Sequence, residues 1–374
     1  MKSKIYLGVS ALTLIVLAGC KSVSDLSLKK ALKEDFLIGV AVNTHQTDDR
    51  DSKDGKLICK HFNSIVAENC MKSEVIHPDQ NRYNFEQADK FVEFGQKNKM
   101  QIMGHVLIWH SQLSRWFCVD NEGKTVSRDT LINRMRDHIQ TIMRHYKGKI
   151  KGWDVINEAF EDDGSYRQTP FYQIIGEDYI PLAFEFAHEA DPDAELYYND
   201  FSMFKSKKCD AVVRMVNKLK NRGIRIDAVG MQGHYLINDP SIDEVETSIV
   251  KFAASGVKVN ITEFDLSVLP LPEHYGGADV NSRLDYNKKY NPYANGILSD
   301  SMALRWDKKM LDFFKMFLKH KDCMERVTMW GLNDGESWKN NWPIPGRTDF
   351  PLLFDRNDNP KPVVKQIIDI AKHY

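Results

Sequence analysis

Short apolar runs rich in β-branched and aromatic residues alternate along the chain with longer segments of helical periodicity. Such runs, bounded by polar and turn-forming residues, are typical of buried strands. We predict eight strands: Phe36–Asn43, Phe62–Asn69, Gln101–His110, Ile150–Glu158, Glu195–Phe201, Ala228–Leu236, Lys258–Leu266 and Arg326–Asp334.

The segments between the strands carry apolar residues at the three- and four-residue spacing of amphipathic helices. Leu311, Phe314 and Leu318, for example, would share one face of a helix over Leu304–His320. The other predicted helices include Phe85–Lys99, Asp129–Tyr146, Ser206–Asn221, Ser241–Ser255 and Pro362–His373. A glycine commonly ends a helix before the next strand, and three stand at such places: Gly148, Gly223 and Gly256.

Alternation of strand and helix predicts an α/β fold with a parallel sheet, and eight units predict a closed (β/α)₈ TIM barrel. The barrel would be a single domain over residues 36–374. An open, doubly wound sheet is the alternative, and the count of eight disfavours it. The segment Leu269–Ser301, rich in proline, glycine, asparagine and aspartate, follows the seventh strand. Barrel geometry predicts that this insert is a long loop on the catalytic face.

Composition and charge narrow the classes of function. The 374 residues carry 51 Lys and Arg against 52 Asp and Glu, a formal net charge of −1. This balance argues against a nucleic acid partner, since phosphate binding normally requires a basic excess. The sequence has no glycine-rich phosphate loop of the dinucleotide or nucleoside triphosphate type. His105, His110 and His234 lack metal-site spacing, so we expect no metal. We also expect no cofactor and a monomer.

The beginning of the chain is typical of an exported protein. Two lysines precede an apolar run, Ile5–Leu17, that is too short to span a bilayer. The run ends in Leu17-Ala18-Gly19-Cys20, which resembles the lipobox of bacterial lipoproteins. The resemblance implies removal of residues 1–19 as a signal peptide and acylation of Cys20. We therefore expect a lipoprotein anchored to a membrane, periplasmic or at the cell surface, with residues 20–35 as a polar tether.

Five further cysteines follow, at positions 59, 70, 118, 209 and 323. Their number is odd and none shows CxxC spacing, which gives no support for a zinc ribbon or a redox pair. One or two disulfides are the alternative outside the cytoplasm, but buried free thiols are favoured.

Polar residues concentrate where the predicted strands end. Barrel active sites form at the carboxyl ends of the strands, so these residues would meet in one bowl. They are Asn43 on the first strand, Glu68 and Asn69 on the second, Trp109 and His110 on the third, Asn157 and Glu158 on the fourth, Gln232 and His234 on the sixth, Glu263 and Asp265 on the seventh, and Trp330 and Asp334 on the eighth. Carboxylates, amides, imidazoles and indoles would seldom be chosen together for packing.

Glu158 and Glu263 each end a strongly apolar strand, and the two strands lie across the barrel from each other. Glycoside hydrolysis needs such a pair: one carboxylic acid protonates the leaving oxygen, and the other attacks the anomeric carbon or activates water. Ion-pair residues at strand ends are the alternative. The neighbours favour chemistry, since Asn157 could bond a sugar hydroxyl and His234 could contact Glu263. Asp265 shares a strand face with Glu263 and could orient that histidine.

Six segments carry a resemblance to a known family. They are Glu68-Asn69-Cys70-Met71-Lys72, Gly104–Gln112, Trp153–Glu158, Met231–His234, Ile261–Asp265, and Trp330–Asp334 with Ser337-Trp338. In this order they resemble glycoside hydrolase family 10, the endo-β-1,4-xylanases, over residues 36 to about 370. The resemblance implies hydrolysis of xylan or xylo-oligosaccharides.

The resemblance also implies a role for each matched residue. Glu158 would be the acid/base and Glu263 the nucleophile of a retaining double displacement. The distal glycone sugar would be held by Glu68, Asn69 and Lys72. The sugar being cleaved would be surrounded by His105, Trp109, Asn157, Gln232 and His234, with Trp330 and Trp338 as its stacking wall. The chain departs from the family in Ser73, where a Trp or Pro usually follows the motif lysine, and in the long insert.

Two other functions compete with the enzyme. A surface glycan-binding protein on a catalytically weak barrel would keep the aromatic platform, but it would have no need of an acid facing a nucleophile. A sugar-phosphate lyase or isomerase would require a glycine-rich phosphate loop after the last two strands. That region carries Trp330 and Trp338 instead. An endo-acting xylanase is therefore the favoured interpretation.

Overall fold

Nine parallel strands build the sheet of the computed structural model, which describes residues 27–272, 280 and 283–374. They are β1 (Leu37–Val42), β2 (Ser64–Ala67), β3 (Gln101–Gly104), β4 (Gly152–Asn157), β5 (Glu195–Asp200), β6 (Ala228–Met231), β7 (His234–Leu236), β8 (Lys258–Ser267) and β9 (Met324–Met329). Each strand from β1 to β5 pairs with the next, β6 pairs with β8, β8 with β9, and β9 with β1. The sheet therefore closes into the predicted eight-stranded barrel, and β7 is a short addition beside the end of β8.

Helices cover the outside of the barrel. In the described residues they are α1 (Leu28–Ala31), α2 (Thr44–Thr47), α3 (Lys53–His61), α4 (Ser73–Ile76), α5 (Glu86–Lys97), α6 (Arg128–His145), α7 (Pro170–Ile175), α8 (Tyr179–Ala190), α9 (Ser206–Asn221), α10 (Ile242–Ala254), α11 (Asp300–Lys319) and α12 (Pro362–Ile370). The predicted glycine helix ends are confirmed, with φ between 72° and 78° at Gly148, Gly223 and Gly256. Within the described part of the chain, none of these helices is long and apolar enough to cross a membrane.

Several strands end earlier than predicted because their last residues turn into the groove. The predicted third strand, Gln101–His110, ends at Gly104, and a cis peptide bond joins His105 to Val106. Leu107 and Ile108 then donate backbone hydrogen bonds to carbonyls of β4 outside regular strand geometry. The predicted eighth strand likewise ends at Met329. The apolar pattern of the sequence could not distinguish the regularly paired strand residues from the irregular residues that follow them.

Two apolar clusters hold the barrel together. The larger lies between the strands and the helices, and it contains most of the buried aliphatic and aromatic residues. The smaller includes Val66, Met103 and Tyr197 and ends in Trp330. Gly104 permits the close approach of strands there, since a Cβ at this position would lie 2.0 Å from the Trp153 ring. Packing at native density leaves no room for such an atom.

The described residues of the insert after β8 form a loop at the carboxyl ends of the strands. Its residues 273–279 and 281–282 lie outside the described residues, and α11 begins at Asp300. The Leu284 amide donates to the carbonyl of Pro343 at 2.8 Å, and Asn291 donates to that of Gly346 at 2.6 Å. The insert is therefore attached to the loop that follows β9. The five predicted free thiols are free in the structure.

The predicted polar tether over residues 20–35 is wrong for its second half. Leu28 and Leu32 are fully buried, four residues apart on one face of α1 and its continuation. The Ser27 hydroxyl donates to the carbonyl of Lys60 at 2.7 Å, which fastens this turn to the end of α3. Two leucines in a short polar segment gave too weak a periodicity to reveal this packing. Residues 20–26 lie outside the described residues.

Replacing Leu32 tests whether this segment belongs to the barrel. Leu32→Ala should lower the free energy of unfolding by about 2–5 kcal/mol, because it leaves a cavity in a packed core. Lys30→Ala, at an exposed position of the same helix, should change it by less than about 0.5 kcal/mol. Urea denaturation measures both. Equal stability of Leu32→Ala and Lys30→Ala would show that α1 does not pack as described.

Candidate active site

One groove crosses the carboxyl ends of the strands and collects nearly all the predicted site residues. Those that line it are Glu68, Asn69, Lys72, His105, Trp109, Asn157, Glu158, Gln232, His234, Glu263, Trp330 and Trp338. Asp265 is fully buried beneath it, and of the other predicted strand-end residues Asp334 is buried beside Lys361 and His110 does not line the groove. Side chains from β2, β3, β4, β6, β8 and β9 thus converge because parallel strands share one end of the barrel.

Glu158 follows β4 and is 5% exposed. The indole Nε1 of Trp109 donates to its Oε2 at 2.8 Å. The Gln232 Nε2 donates to its Oε1 at 2.9 Å, and the amide of Asn157 is 3.3 Å from the same oxygen. Three neutral donors therefore fix the carboxyl group at the floor of the groove.

Glu263 lies within β8 and is also 5% exposed. The Asn199 Nδ2 donates to its Oε1 at 2.8 Å, and the Nε2 of His234 is 3.0 Å from its Oε2. Burial acts to raise the pKa of Glu263, but the hydrogen bond from His234 and the nearby positive charge outweigh it and lower the pKa. The carboxylate form is therefore favoured.

His234 joins the two acids of β8. Its Nδ1 is 2.8 Å from the Oδ2 of Asp265, so the predicted contacts with Glu263 and Asp265 are both present. Burial opposes the charged imidazole, but the two carboxylates outweigh it and raise the pKa of His234 to about 9. Both ring nitrogens therefore carry protons at neutral pH and donate. Asp265 also accepts from Trp338 at 2.9 Å and pairs with Lys339 at 3.1 Å.

An amide bridge connects the two glutamates. The Asn199 Nδ2 lies 2.8 Å from Glu263 and 3.0 Å from the Oδ1 of Asn157, the neighbour of Glu158. The Thr262 hydroxyl donates to the Asn199 Oδ1 at 2.6 Å and fixes the orientation of this amide. Asn199 is absent from the predicted set, although it lies near the end of β5. The same strand-end argument would have found it.

The predicted distal sugar site is a connected polar cluster. Asn43 donates to Glu68 at 2.7 Å, and Asn69 donates to Asn43 at 3.0 Å. The Lys72 ammonium donates to Gln112 at 2.8 Å and to Asn69 at 3.2 Å. Burial raises the pKa of Glu68 and lowers that of Lys72. These donors and acceptors already hold one another and can turn toward sugar hydroxyls.

Ser73, the departure from the family pattern, does not line the groove. It is 6% exposed, and its carbonyl accepts a hydrogen bond of 3.1 Å from the Ser114 hydroxyl. The residue therefore ties α4 to the loop after β3 and adds no bulk beside Lys72.

Aromatic rings form one wall of the groove. The Trp338 and Trp342 ring centroids are 4.5 Å apart, and His234 meets Trp338 at 5.0 Å. Trp330 is 6% exposed and contacts His105 edge to face. The His105 Nδ1 is 2.9 Å from the buried carboxylate of Asp154, which fixes that ring. Indole faces of this kind cover the apolar face of a pyranose while its hydroxyls stay hydrogen-bonded.

A further stretch of groove wall comes from the loops after β4 and β5, from β7 and from the insert. Its residues include Asp162, Phe201, Phe204, Lys205, Leu236, Leu271 and Arg283. Asp162 and Lys205 form an ion pair of 2.5 Å on this wall. Among the described residues, no cluster of His, Cys, Asp and Glu has the arrangement of a metal site.

A family model described as glycosyl hydrolase family 10 matches residues 27–370. The chain belongs to glycosyl hydrolase family 10. The match begins at Ser27, which agrees with the packing of α1 against the barrel. The family resemblance and the barrel fold predicted from the sequence are thereby confirmed.

Individual family 10 proteins match almost the whole chain. Endo-1,4-beta-xylanase A of Xylanibacter ruminicola is 52% identical over 344 residues, 92% of this chain and 93% of that protein. An endo-1,4-beta-xylanase of Geobacillus stearothermophilus is 37% identical over 358 residues, 94% and 100% of the two chains. A GH10 endoxylanase from a sugarcane soil metagenome superimposes with a TM-score of 0.87 at 45% identity, covering 92% and 99%. A mutant protein solved in complex with xylotriose has a TM-score of 0.81 at 36% identity, covering 92% and 99%.

The charge on His234 predicts a pH-dependent stability of this family 10 barrel. The pKa of His234 is about 9 in the folded chain against an ordinary 6.5. The bound proton of His234 therefore contributes its full stabilisation of the fold below pH 6.5, the ordinary pKa. This contribution is lost as the pH rises through about 9, the pKa in the folded chain. The difference in free energy of unfolding between the wild type and His234→Asn should shrink across that window, as measured by urea denaturation.

His188→Asn is the matched control, since His188 is exposed on α8. Its free energy of unfolding should follow that of the wild type in parallel from about pH 6 to about pH 9. A wild-type advantage over His234→Asn that stays constant with pH would contradict the charged imidazole.

Proposed function

We propose that the chain is an endo-1,4-β-xylanase that cleaves xylan by a retaining double displacement, with Glu158 as acid/base and Glu263 as nucleophile. The observation that carries the proposal is the pair of buried carboxyl groups on one groove, held in contrasting surroundings. The described hydrogen-bond donors of Glu158 are neutral, whereas Glu263 faces a cationic His234. Contrasting environments of this kind assign the acid and the nucleophile in carboxylate pairs.

In the first step the ionised Glu263 attacks the anomeric carbon as the bond to the leaving oxygen breaks. Glu158 transfers its proton to that oxygen, so the leaving chain departs as an alcohol and Glu158 becomes a carboxylate. In the second step Glu158 accepts a proton from water, whose oxygen displaces Glu263 from the same carbon. Two inversions restore the original β configuration and both carboxyl groups.

The groove supports a xylan chain as the substrate. Glu68, Asn69 and Lys72 offer a distal sugar site, and His105, Trp109, Asn157, Gln232 and His234 would surround the sugar being cleaved. Trp330 and Trp338 would stack on its apolar face. The groove is lined by many residues besides the two glutamates, which supports the binding of several sugars of one chain by an endo-acting enzyme. The matched xylanases and the xylotriose complex of a relative favour this substrate class.

Substitution of the two glutamates tests the division of roles. Glu158→Ala should lower kcat/KM on xylo-oligosaccharides by about 10²–10⁴-fold, because a poor leaving group loses its proton donor. Its first step on a 2,4-dinitrophenyl xylobioside should survive, since that leaving group needs no proton. Azide should then increase turnover and give the β-configured glycosyl azide. Glu263→Ala should lose turnover on both substrates.

The configuration of the azide product decides the assignment. An α-configured azide from Glu158→Ala, or a β-configured one from Glu263→Ala, would reverse the two roles. The unaltered enzyme is the reference on unsubstituted xylan, from which it should release xylo-oligosaccharides. Activity on cellulose alone would overturn the substrate class while leaving the mechanism open to test.

We also propose that the protein is a membrane-anchored lipoprotein that acts as a monomer. The lysines, the apolar run and Leu17-Ala18-Gly19-Cys20 support the anchor. One barrel supplies both glutamates and the groove around them, so a monomer would be sufficient for the chemistry. Because the groove lies on the barrel, the anchor would leave the chemistry unchanged.

Cys20→Ser tests the anchor. The variant should move from salt-washed membranes to the soluble fraction, since no thiol remains for acylation, and its specific activity should equal that of the wild type. Cys59→Ser, which alters a half-buried cysteine of α3, is the control and should stay with the membrane. A Cys20→Ser protein that remains membrane-bound would refute the lipid anchor.

A further inference from the structure

Glu158 has an unusual backbone conformation for a residue with a side chain. Its φ is 60°, in the left-handed region, which non-glycine residues seldom adopt. Such a conformation persists only where the surrounding structure holds it. The conformation also decides where the carboxyl group points, because the side chain leaves the backbone at this residue.

Backbone groups on both sides of this turn are held. The Glu158 amide donates to the carbonyl of Asn199 at 2.9 Å, which continues the pairing of β4 with β5. Arg167 donates through Nε to the Glu158 carbonyl at 3.1 Å and through Nη2 to the Phe160 carbonyl at 3.2 Å. The two carbonyls therefore have one common donor residue.

The next two amides are held by side chains of β5. The Ala159 amide donates to the Tyr198 hydroxyl at 3.0 Å, and the Phe160 amide is 3.4 Å from the Oδ2 of Asp200. The Tyr198 hydroxyl in turn donates to that same Oδ2 at 2.5 Å. Side chains two residues apart on one strand thus reach the same short turn, because alternate residues share a face.

Lys208 completes the group from α9. Its ammonium is 2.8 Å from the Oδ1 of Asp200 and lies 3.9 Å from the centroid of the Phe201 ring. Tyr198, Asp200 and Lys208 are all fully buried. Burial raises the pKa of Tyr198 well above its ordinary value, so its hydroxyl keeps the proton that it donates. Burial also raises the pKa of Asp200, although the positive charge of Lys208 opposes this rise.

A fully buried ion pair is weak support for stability, because apolar residues of similar volume are often as stable or more so. This pair lies directly behind the turn that carries Glu158, and Asp162 on the groove wall is 3.6 Å from the same ammonium. The contacts of Asp200 and Lys208 are therefore better explained by a role in orienting this turn than by a contribution to stability. Fixed polar partners of this kind hold reacting groups in productive geometry.

We propose that Tyr198, Asp200 and Lys208 are positioning residues for Glu158: they fix the left-handed turn and so aim its carboxyl group at the leaving oxygen. This inference rests on the proposed role of Glu158 as the acid/base. It assigns no proton transfer to the three residues themselves. Their contribution is the position of the donor, and it matters only where the leaving group needs a proton.

The test compares two substrates that differ in this requirement. Tyr198→Phe removes only the hydroxyl that holds the Ala159 amide, and the double variant Asp200→Asn with Lys208→Met removes the ion pair without leaving a buried charge unpaired. In both, kcat/KM on xylohexaose should fall by about 10- to 100-fold, as a misplaced catalytic group predicts. The value on 2,4-dinitrophenyl xylobioside should stay within about threefold, because its leaving group departs without general acid catalysis.

Controls separate positioning from loss of fold and from failure of the proposed function. Tyr146→Phe removes another buried tyrosine hydroxyl, at the end of α6, and should keep the wild-type ratio of the two kcat/KM values. Glu158→Ala gives the ratio expected for complete loss of the acid. Equal losses on both substrates, or no loss on either, in folded Tyr198→Phe and in the double variant would overturn the positioning role. An unselective Glu158→Ala would instead overturn the acid/base assignment.

Discussion

Closure of the parallel sheet is the constraint on which the site depends. The pairing of β9 with β1 and of β6 with β8 leaves the barrel no free edge and brings all the strand ends to one face. Residues that follow β2 and β9, more than 250 positions apart along the chain, then line the same groove. The amide of Asn199 can contact both the Glu263 carboxylate and Asn157, the neighbour of Glu158, because β4, β5 and β8 end at the same level. Several strand ends and the loops that follow them build the groove together.

Burying several acids in one place requires compensation for their charge. Glu263 and Asp265 lie on one strand face, and His234 and Lys339 supply two positive charges beside them. The group is therefore close to neutral although its members are ionised. Asp200 and Lys208 repeat this arrangement behind Glu158. A buried carboxylate without such a partner would instead take up a proton. Buried charged side chains near the two glutamates are thus accompanied by partners of opposite charge.

Much of this could be predicted from the sequence, because strand order and strand ends are encoded locally. The apolar runs gave the eight strands, and barrel geometry then placed Glu158, Glu263 and Gln232 in one groove. The left-handed turn at Glu158, the amide bridge through Asn199 and the ion pair of Asp265 with Lys339 could not be derived in this way. They depend on side chains that meet only after the barrel has closed, and nothing in the spacing of Lys339 in the chain distinguishes it from a surface lysine. The packing of α1 was not predicted for a similar reason, because Leu28 and Leu32 pack against helices that are distant in the chain or close only after folding.

The position of α1 also fixes how a tethered barrel would face its surroundings. The segment enters β1 at its amino end, and Ser27 is fastened to the end of α3 just before β2 begins. The chain therefore joins the barrel at the pole opposite the groove. Residues 20–26 would span at most about 25 Å when fully extended. An anchor on Cys20 would thus hold the barrel close to the bilayer with its open groove turned outward. A long, stiff polysaccharide could approach and slide across it without meeting the membrane, and tethering and access to the polymer would not conflict.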